Sequence, residues 1–353
     1  MKALLVRLSS IGDVVHTLPA LAALHRGGWE AGWVVELPSR MLLEPNPLVA
    51  QVIVAPSRKA FGWARALSAL RAVRAQRYDA AVDFQGLWKS AAWARLSGAR
   101  RVVGWDRAAR REPGSALLLL EAITRGEALT RKETPTHSEP LTRSGSGHVI
   151  DKNLELLRPL GIEAVGLREF PLPFSAEAVT RVDAGLQGLR GDGLVVLNPG
   201  GGWASKLWPA ALFGQLAREL RQLGLHPLVS WGPGEEDLAS RVVAASGGAA
   251  ARSFPTTLLD YVEIARRARL VVAADTGPLH LACAVGTPVV ALFGPTDPAR
   301  NGPFASDDVV VRRAPACAPC YSRTCARHAG VMDGISLEEV RAAVERRLAL
   351  ARA

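Results

Sequence analysis

The stretch VVAADTGPLHLACAVGTPVVALFGPTDP, residues 271–298, contains two apolar, β-branched runs on either side of a helix-like segment. The runs predict strands at 269–274 and 288–293, and the segment between them predicts a helix near 278–285. Two strands joined by one helix form a right-handed crossover, which places the strands parallel in one sheet. This stretch therefore predicts an α/β fold built on a parallel sheet.

The same alternation occurs in two series along the chain. In the first series, predicted strands flank Ala-, Leu- and Arg-rich helical stretches such as 61–76. In the second series, predicted helices separate the strands in the same way. The predicted strands lie at 3–6, 33–37, 52–54, 80–84, 101–103, 194–197 and 226–230, and the helices of the second series lie near 209–223, 235–246 and 258–267. Two such series predict two Rossmann-like domains.

A polar stretch and a proline-bearing stretch interrupt this alternation. We expect an N-terminal domain at 1–165, whose residues 124–147 form a mobile surface loop, then a linker at 166–175 and a C-terminal domain at 176–335. Residues 336–353 begin with a Ser-x-x-Glu capping box and predict an amphipathic helix. Ligands of such sheets bind at the carboxyl ends of the strands, so we expect the two domains to face each other across an active-site cleft.

Composition and charge restrict the class of protein. With 353 residues, of which 48% are apolar, the chain is long enough to form two cores. No run has the length of a membrane span, and the first residues lack a signal-peptide cleavage site, so we expect a cytoplasmic protein. The formal charge is +10, and residues 1–160 carry +9 of it, with 23 Lys and Arg against 14 Asp and Glu. This basic half predicts affinity for phosphates of nucleic acid, anionic lipid or a phosphorylated substrate.

Three predicted strand ends carry groups suited to a nucleotide diphosphate. Thr276 and Gly277 open a helix directly after a strand, and so offer a hydroxyl and backbone N–H groups to a diphosphate. Lys206 ends a glycine-rich loop and supplies a cation for a leaving diphosphate, and Glu235 is placed to accept from ribose hydroxyls. Asp275 would repel a phosphate and is expected to brace its loop as a cap. For any one loop alone, an ordinary helix cap is the simpler interpretation.

The segments RLSSIGDVVHTLPAL, DFQGLWKSA, GWDRAARREP, SKLWP and DTGPLHLACAVGTPVVALFGPTDP extend over nearly the whole chain. Together they resemble those of glycosyltransferase family 9, the lipopolysaccharide heptosyltransferases, and are most similar to heptosyltransferase I. The resemblance implies the GT-B architecture, with the donor in the C-terminal domain and the acceptor in the N-terminal one. It also implies an inverting, metal-independent transfer of heptose from ADP-L-glycero-β-D-manno-heptose to the Kdo or heptose of the growing inner core, with no cofactor.

The resemblance also implies the roles of individual residues. Asp13 would be the general base and Lys206 the second catalytic group. The implied donor contacts are Lys206, Glu235, Thr276, Gly277 and His280, and the implied acceptor contacts are Lys89, Arg107, Arg110 and Arg111. From their places in the loops, we add Gly201, Gly202 and Asp275 to the donor site and Ser9, Ser10 and Gly12 to the acceptor site. An inverting displacement needs a base for the proton of the acceptor hydroxyl, and Asp13 follows the first strand at a suitable place. The alternative is that Asp13 merely caps the following helix.

The chain departs from the family pattern in two places. Type I enzymes carry hydroxyl residues before the loop lysine, whereas this chain has Gly201 and Gly202, so backbone amides would replace those contacts. The tail CAPCYSRTC, residues 317–325, resembles heptosyltransferase II instead, which leaves the subfamily and the acceptor open. The expected partners are ADP-heptose, a Kdo-lipid A type acceptor and the anionic inner face of the cytoplasmic membrane, reached through the basic N-terminal domain, with no nucleic acid.

The cysteines of the tail allow two interpretations. Cys317, Cys320 and Cys325, with His328 nearby, could bind a metal ion, or they could be thiols of a packed loop, which is the simpler interpretation. Two other functions also stay open for the whole chain. One is a family 9 transferase with a different nucleotide sugar or acceptor, and the other is a basic α/β module that binds nucleic acid or anionic lipid.

Overall fold

The computed structural model describes residues 1–56, 62–124, 147–189, 193–320 and 330–350. The described chain divides into two compact units, which we call the first unit, ending at Phe174, and the second unit, beginning at Ser175. This boundary falls inside the stretch 166–175. The loop predicted at 124–147 lies almost entirely outside the described residues.

The first unit is built on one sheet whose described strands all run parallel. The strands are β1 (Lys2–Val6), β2 (Glu30–Val35), β3 (Val49–Val54), β4 (Ala80–Asp83), β5 (Arg101–Trp105) and β6 (Glu121–Ile123). Their order in the sheet is β3-β2-β1-β4-β5-β6, so the succession of strands reverses between β1 and β4. Most residues of the central strands are fully buried, as an uninterrupted apolar run such as Ala3 to Val6 predicts for a sheet covered on both faces.

Helices follow the strands of the first unit. They are α1 (Ile11–Val15), α2 (Leu18–Arg26), α3 (Leu37–Arg40), α4 (Trp63–Ala75), α5 (Trp88–Leu96) and α6 (Val149–Glu155), with 3-10 helices at Pro113–Leu118 and Arg158–Leu160. Helix α2 buries Leu18, Leu21 and Leu24 completely, which fixes it against the sheet. Helix α6 ends at Glu155, because the ring of Pro159 would clash with the carbonyl four residues before it.

The second unit repeats this plan. Its described strands are all parallel and are β7 (Leu194–Asn198), β8 (His226–Val229), β9 (Ala251–Arg252), β10 (Leu270–Ala274), β11 (Val289–Phe293) and β12 (Val309–Arg312). Their order is β12-β11-β10-β7-β8-β9, with the reversal between β7 and β10. This is the doubly wound order of a dinucleotide-binding sheet. The predicted α/β class with two Rossmann-like halves is therefore confirmed.

The helices of the second unit include the one at the C-terminal end. They are α7 (Ala176–Gly185), α8 (Ala210–Gln222), α9 (Glu236–Ala245), α10 (Leu258–Arg267), α11 (Gly277–Ala284), α12 (Pro298–Asn301) and α13 (Leu337–Leu350), with 3-10 helices at Gln187–Leu189, Ala204–Lys206 and Val331–Gly334. Val340 and Val344 of α13 lie in the same buried cluster as Leu216 of α8, so α13 is part of this core. The predicted capping box forms, since Glu339 Oε2 accepts the Ser336 N–H at 2.8 Å and Ser336 Oγ accepts the Glu339 N–H at 3.2 Å.

The three strands that the sequence analysis does not predict are β6, β9 and β12, which lie at the edges of the sheets. An edge strand has one neighbour and stays half-exposed, so it needs no fully buried apolar run to mark it. The strand order reverses between β1 and β4 in one sheet and between β7 and β10 in the other. The loops that follow these four strands therefore flank the reversal points at the carboxyl edges, where doubly wound sheets bind ligands. Within the described ranges, none of the helices has both the length and the apolar character needed to cross a membrane.

Candidate active site

Lys206 joins two loops at the carboxyl edge of the second unit. It ends the 3-10 helix that follows β7, and its Nζ donates to Asp275 Oδ2 at 2.6 Å and to the Asp275 carbonyl at 3.2 Å. The ammonium also lies 4.4 Å from the centroid of the Trp203 ring, a cation–π contact. The Lys206 side chain is 14% exposed. Its charge is therefore fixed in position at the sheet edge while part of it stays reachable.

Asp275 is the buried centre of this arrangement. Its Oδ2 accepts from Thr296 Oγ1 at 2.7 Å, its Oδ1 accepts from Asn301 Nδ2 at 2.5 Å, and His280 Nε2 lies 3.2 Å from Oδ1. Burial alone would raise the pKa of the Asp275 carboxyl, but the hydrogen bond from His280 and the charge of Lys206 hold that pKa well below its usual range. Asp275 is therefore an anion whose bonds are directed at the protein's own side chains.

The glycine-rich loop after β7 packs against the other two loops of the predicted donor site. A Cβ atom on Gly200 would lie 2.1 Å from Glu235 Oε2, and a Cβ atom on Gly201 would lie 2.8 Å from Thr276 Cγ2. Glu235 is itself fixed, because its Oε2 accepts the Gly232 N–H at 2.9 Å. The strand ends of β7, β8 and β10 thus meet, as the sequence predicts, and glycine is required where they touch.

The start of α11 differs in detail from the prediction. Thr276 occupies the N-cap position, but its hydroxyl donates to the Ala274 carbonyl at 3.2 Å and caps no N–H of α11. The helix thus offers first-turn N–H groups, with Gly277 at its first position, to an anion. Two expectations are corrected: Asp275 braces the loop through side chains and is not the cap, and the buried His280 directs Nε2 at Asp275 and not at a donor phosphate.

In the first unit, Asp13 lies in α1, directly after β1. Its Oδ2 accepts from the Ser10 N–H at 3.1 Å and from the Ser10 hydroxyl at 3.0 Å, which forms a capping box. Its Oδ1 accepts from the guanidinium of Arg7. The Asp13 side chain is nevertheless 31% exposed. Asp13 therefore caps α1 and still presents carboxylate surface to solvent.

Arg7 is a residue of this site that the sequence analysis missed. It follows the last residue of β1 and is buried, and its guanidinium donates to the Phe84 carbonyl as well as to Asp13. Arg7 thereby fixes Asp13 relative to the loop after β4. No local pattern marks it, because its partners lie six and 77 residues away along the chain.

Arg110 is not placed to contact an acceptor, contrary to the prediction. Its side chain is fully buried and forms an ion pair with the equally buried Asp83. Its Nε also donates to Ser115 Oγ at 2.7 Å, and its Nη1 donates to the Trp105 carbonyl. These bonds join the loop after β4 to the loop after β5, so the role of Arg110 is structural.

The other predicted acceptor residues lie at the carboxyl edge of the first unit but differ in accessibility. Arg107 and Arg111 are exposed, whereas Lys89 is partly buried and donates to Glu36 Oε1 at 2.7 Å and to the Pro56 carbonyl at 3.0 Å. Lys89 therefore ties the ends of β2 and β3 to α5 and is a weaker candidate than the two arginines. Ser10 is exposed, Ser9 is partly exposed and Gly12 is buried within α1.

A model of glycosyltransferase family 9 (heptosyltransferase) matches residues 66–329, about three quarters of the chain. This chain belongs to glycosyltransferase family 9. The lipopolysaccharide heptosyltransferase 1 of Pseudomonas aeruginosa is 31% identical to it over 345 residues, which cover 92% of this chain and 87% of that protein. The corresponding Escherichia coli K12 enzyme is 31% identical over 334 residues, 88% of this chain and 93% of that protein. Membership of this family and the similarity to these enzymes show that this protein is a glycosyltransferase.

Solved structures of family 9 proteins share the fold. The structure of E. coli heptosyltransferase WaaC with ADP superposes with a TM-score of 0.72 at 25% identity and covers 98% of this chain and 100% of that one. A second structure of that protein contains ADP-2-deoxy-2-fluoro heptose. The structure of E. coli ADP-heptose lps heptosyltransferase II has a TM-score of 0.73 at 20% identity, covering all of both chains, and shows the shared fold.

The cysteine tail of this family 9 enzyme is only partly described. Cys317 is exposed and Cys320 partly exposed, while Cys325 and His328 lie outside the described residues. Among the residues with described positions, no three His, Cys, Asp or Glu side chains cluster in a way that could hold a metal ion. The choice between a metal site and a packed loop thus concerns residues that the structure does not describe.

Proposed function

We propose that this family 9 enzyme transfers L-glycero-D-manno-heptose from ADP-heptose to the Kdo or the first heptose of the lipopolysaccharide inner core. The observation that carries the proposal is the meeting of the loops after β7, β8 and β10 in the second unit. They bring together the Lys206 cation, a helix N-terminus without a side-chain cap and the Glu235 carboxylate, which are groups suited to a nucleotide diphosphate. Curated relatives named as lipopolysaccharide heptosyltransferases, and the WaaC structures with ADP and an ADP-heptose analogue, support this choice of donor.

The second unit would hold the donor. Lys206 and the N-terminus of α11, with Thr276 and Gly277, would contact the diphosphate, and the amides of Gly201 and Gly202 would replace the hydroxyl contacts of type I enzymes. Glu235 would accept hydrogen bonds from the ribose hydroxyls. Asp275 would act indirectly, by holding the Lys206 ammonium where negative charge develops as ADP departs.

The first unit would supply the base. In an inverting displacement the acceptor oxygen attacks the anomeric carbon opposite the diphosphate, so that a new C–O bond forms as the bond to ADP breaks. The proton of the acceptor hydroxyl would pass to Asp13, whose carboxylate Arg7 and Ser10 orient. Arg107 and Arg111 would bind the acidic groups of the acceptor. We propose that Lys206 and the helix terminus supply the positive charge for departure, and that the reaction needs no metal ion.

The acceptor also suggests where the enzyme works. A lipid-anchored acceptor would be met at the inner face of the cytoplasmic membrane, and the +9 charge of residues 1–160 favours a negatively charged surface. The enzyme would be a peripheral protein there.

The purified protein, ADP-heptose and a Kdo-bearing acceptor test this function. We expect release of ADP, an increase of the acceptor mass by one heptose, inversion at the anomeric carbon in the NMR spectrum, and an unchanged rate with a chelator present. Other nucleotide sugars serve as matched donors. Transfer from a different nucleotide sugar, with none from ADP-heptose, would overturn the proposal, and loss of activity with the chelator would overturn its metal-independent part.

A further inference from the structure

Several large apolar side chains are exposed on the segments that follow strands of the first unit, and four of them are considered together. They are Leu37, Met41, Trp88 and Leu117, which we call the apolar rim, and between 40% and 81% of each is exposed. Single exposed apolar residues are ordinary on a protein surface, but several on neighbouring segments mark an interaction surface. Their segments follow β2, β4 and β5, and the segment after β5 also carries the proposed acceptor residues Arg107 and Arg111.

Helical geometry and one ion pair bring the first three members together. Leu37 begins α3 and Met41 follows its end, and residues four apart lie on the same side of a helical turn. Glu36, which precedes Leu37, accepts from Lys89 Nζ at 2.7 Å. Because Lys89 follows Trp88, this pair places the start of α5 beside the start of α3.

A second contact connects Trp88 to Leu117. A Cβ atom on Gly114 would lie 2.7 Å from Trp88 Cζ2, so the indole ring lies against the 3-10 helix that contains Gly114. Leu117 is three residues further along that helix, and positions three apart eclipse each other in 3-10 geometry. The Trp88 N–H also donates to Glu112 Oε2 at 2.6 Å, which fixes the start of α5 against this loop. These contacts connect the three segments that carry the apolar rim.

We propose that the apolar rim is a membrane-docking surface that inserts into the interfacial layer of an anionic lipid bilayer. Tryptophan and leucine side chains partition into that layer, and the exposed Arg107 and Arg111 nearby suit its negative headgroups. The +9 charge of residues 1–160 favours an anionic surface and disfavours a second copy, because two such units would repel each other. This inference rests on the proposed function in one respect: docking would bring the enzyme to a lipid-anchored acceptor.

Co-sedimentation of the full chain with vesicles of phosphatidylethanolamine and phosphatidylglycerol tests the inference. The variant is L37S/L117S, which changes two exposed side chains outside the proposed catalytic and binding groups. Its control is L223S, which changes an exposed leucine of the second unit. We expect the rim variant to bind anionic vesicles at least about tenfold more weakly, because two apolar side chains no longer leave water. We expect L223S to bind like the unchanged protein.

Three further readouts keep the outcomes distinct. Thermal unfolding should give the same Tm for L37S/L117S and L223S, since both changes are at exposed positions. Both variants should transfer heptose to a Kdo acceptor without acyl chains at the same rate as the unchanged protein. If neither the variants nor the unchanged protein transfers heptose to it, the proposed function is wrong, whereas the docking inference is unaffected. Unchanged vesicle binding of L37S/L117S would overturn the inference, as would light scattering that shows the rim variant dissolving a dimer of the unchanged protein.

Discussion

Two buried ion pairs at strand ends show how similar side chains serve different purposes. Arg110 and Asp83 are both fully buried, and the Arg110 guanidinium is used up by bonds within the first unit. Lys206 is paired with the buried Asp275 but is itself still partly exposed beside a helix N-terminus. Only the second pair keeps a charge where an anionic ligand can reach it, so we assign binding to Lys206 and stability to Arg110.

Replacing arginines of the GWDRAARREP segment should separate these roles. We expect Arg110→Ala to lower the free energy of unfolding by about 3 to 5 kcal/mol, because it leaves the Asp83 carboxylate buried without its partner. We expect Arg107→Ala to change stability by less than about 0.5 kcal/mol and to raise KM for the acceptor. Urea unfolding and steady-state kinetics measure both, and an Arg110→Ala protein of unchanged stability would contradict the structural assignment.

Lys206 allows a similar separation of stability from binding. We expect Lys206→Met to destabilise the protein by about 3 to 5 kcal/mol, since the Asp275 carboxylate loses its cation, and to weaken donor binding. Adding Asp275→Asn removes the unbalanced charge and should restore most of the stability, but donor affinity should stay low. Calorimetric titration with ADP gives the affinity. Recovery of ADP binding in the double variant would show that Lys206 acts only through the fold.

The loop after β7 gives a test in which one added methyl group is the whole change. In Gly200→Ala the new Cβ would overlap Glu235 Oε2, and the flexible glutamate is the group that moves. We expect the fold to survive and KM for the donor to rise roughly tenfold, the effect of one lost charged hydrogen bond. Gly188→Ala is the matched control, because a Cβ there meets nothing within 4 Å and Gly188 lies outside the proposed donor site.

If the effects of Gly200→Ala and Glu235→Ala on KM for the donor do not add, the displaced Glu235 is the cause of the Gly200→Ala effect. The protein with both Gly200→Ala and Glu235→Ala should be no worse than Glu235→Ala alone, because both changes remove the same contact. Equal effects of Gly200→Ala and Gly188→Ala on KM for the donor would contradict the assignment of Glu235.

The central strands could be predicted because a strand that is buried on both faces of its sheet appears in the sequence as an apolar run. The loops of the site could be predicted because they follow these runs directly. β10 and its Asp275-Thr276-Gly277 loop are the clearest case. The edge strand β9 could not be predicted, since one partly buried and one exposed residue leave no pattern. Nor could the partners of Asp275: Thr296 and Asn301 stand 21 and 26 residues away, and only the folded sheet brings them near. Arg110 was misassigned for the same reason, because its partner Asp83 is distant in sequence.

Acid unfolding of the entire protein should report on the Asp275 site. Its carboxyl has a lowered pKa in the folded state, so its contribution to stability is complete above the ordinary value of about 3.9 and is lost as the pH falls towards the folded pKa. Below about pH 4, we expect the unfolding free energy of the unchanged protein to fall by up to about 1.4 kcal/mol per pH unit from this group. The fall should be shallower in Asp275→Asn.

Asp308 provides a control of opposite sign. Burial raises the pKa of this carboxyl despite its hydrogen bonds from Val289 and Arg347, so the folded protein takes up its proton first and gains relative stability as the pH falls. Asp308→Asn should therefore make the acid-side loss steeper. Urea unfolding from pH 6 to about pH 3 compares the three proteins, and parallel curves would contradict both assignments.

We propose that Asp13 of the first unit is the base and that the second unit binds ADP-heptose. The most direct test compares Asp13→Asn, which keeps the shape of the side chain, with the unchanged protein in the same preparation. We predict that ADP-heptose binds with the same Kd within about twofold, and that kcat falls about 100- to 10,000-fold, the contribution of a general base. An Asp13→Asn protein that transfers heptose at a rate near that of the unchanged enzyme would contradict the account.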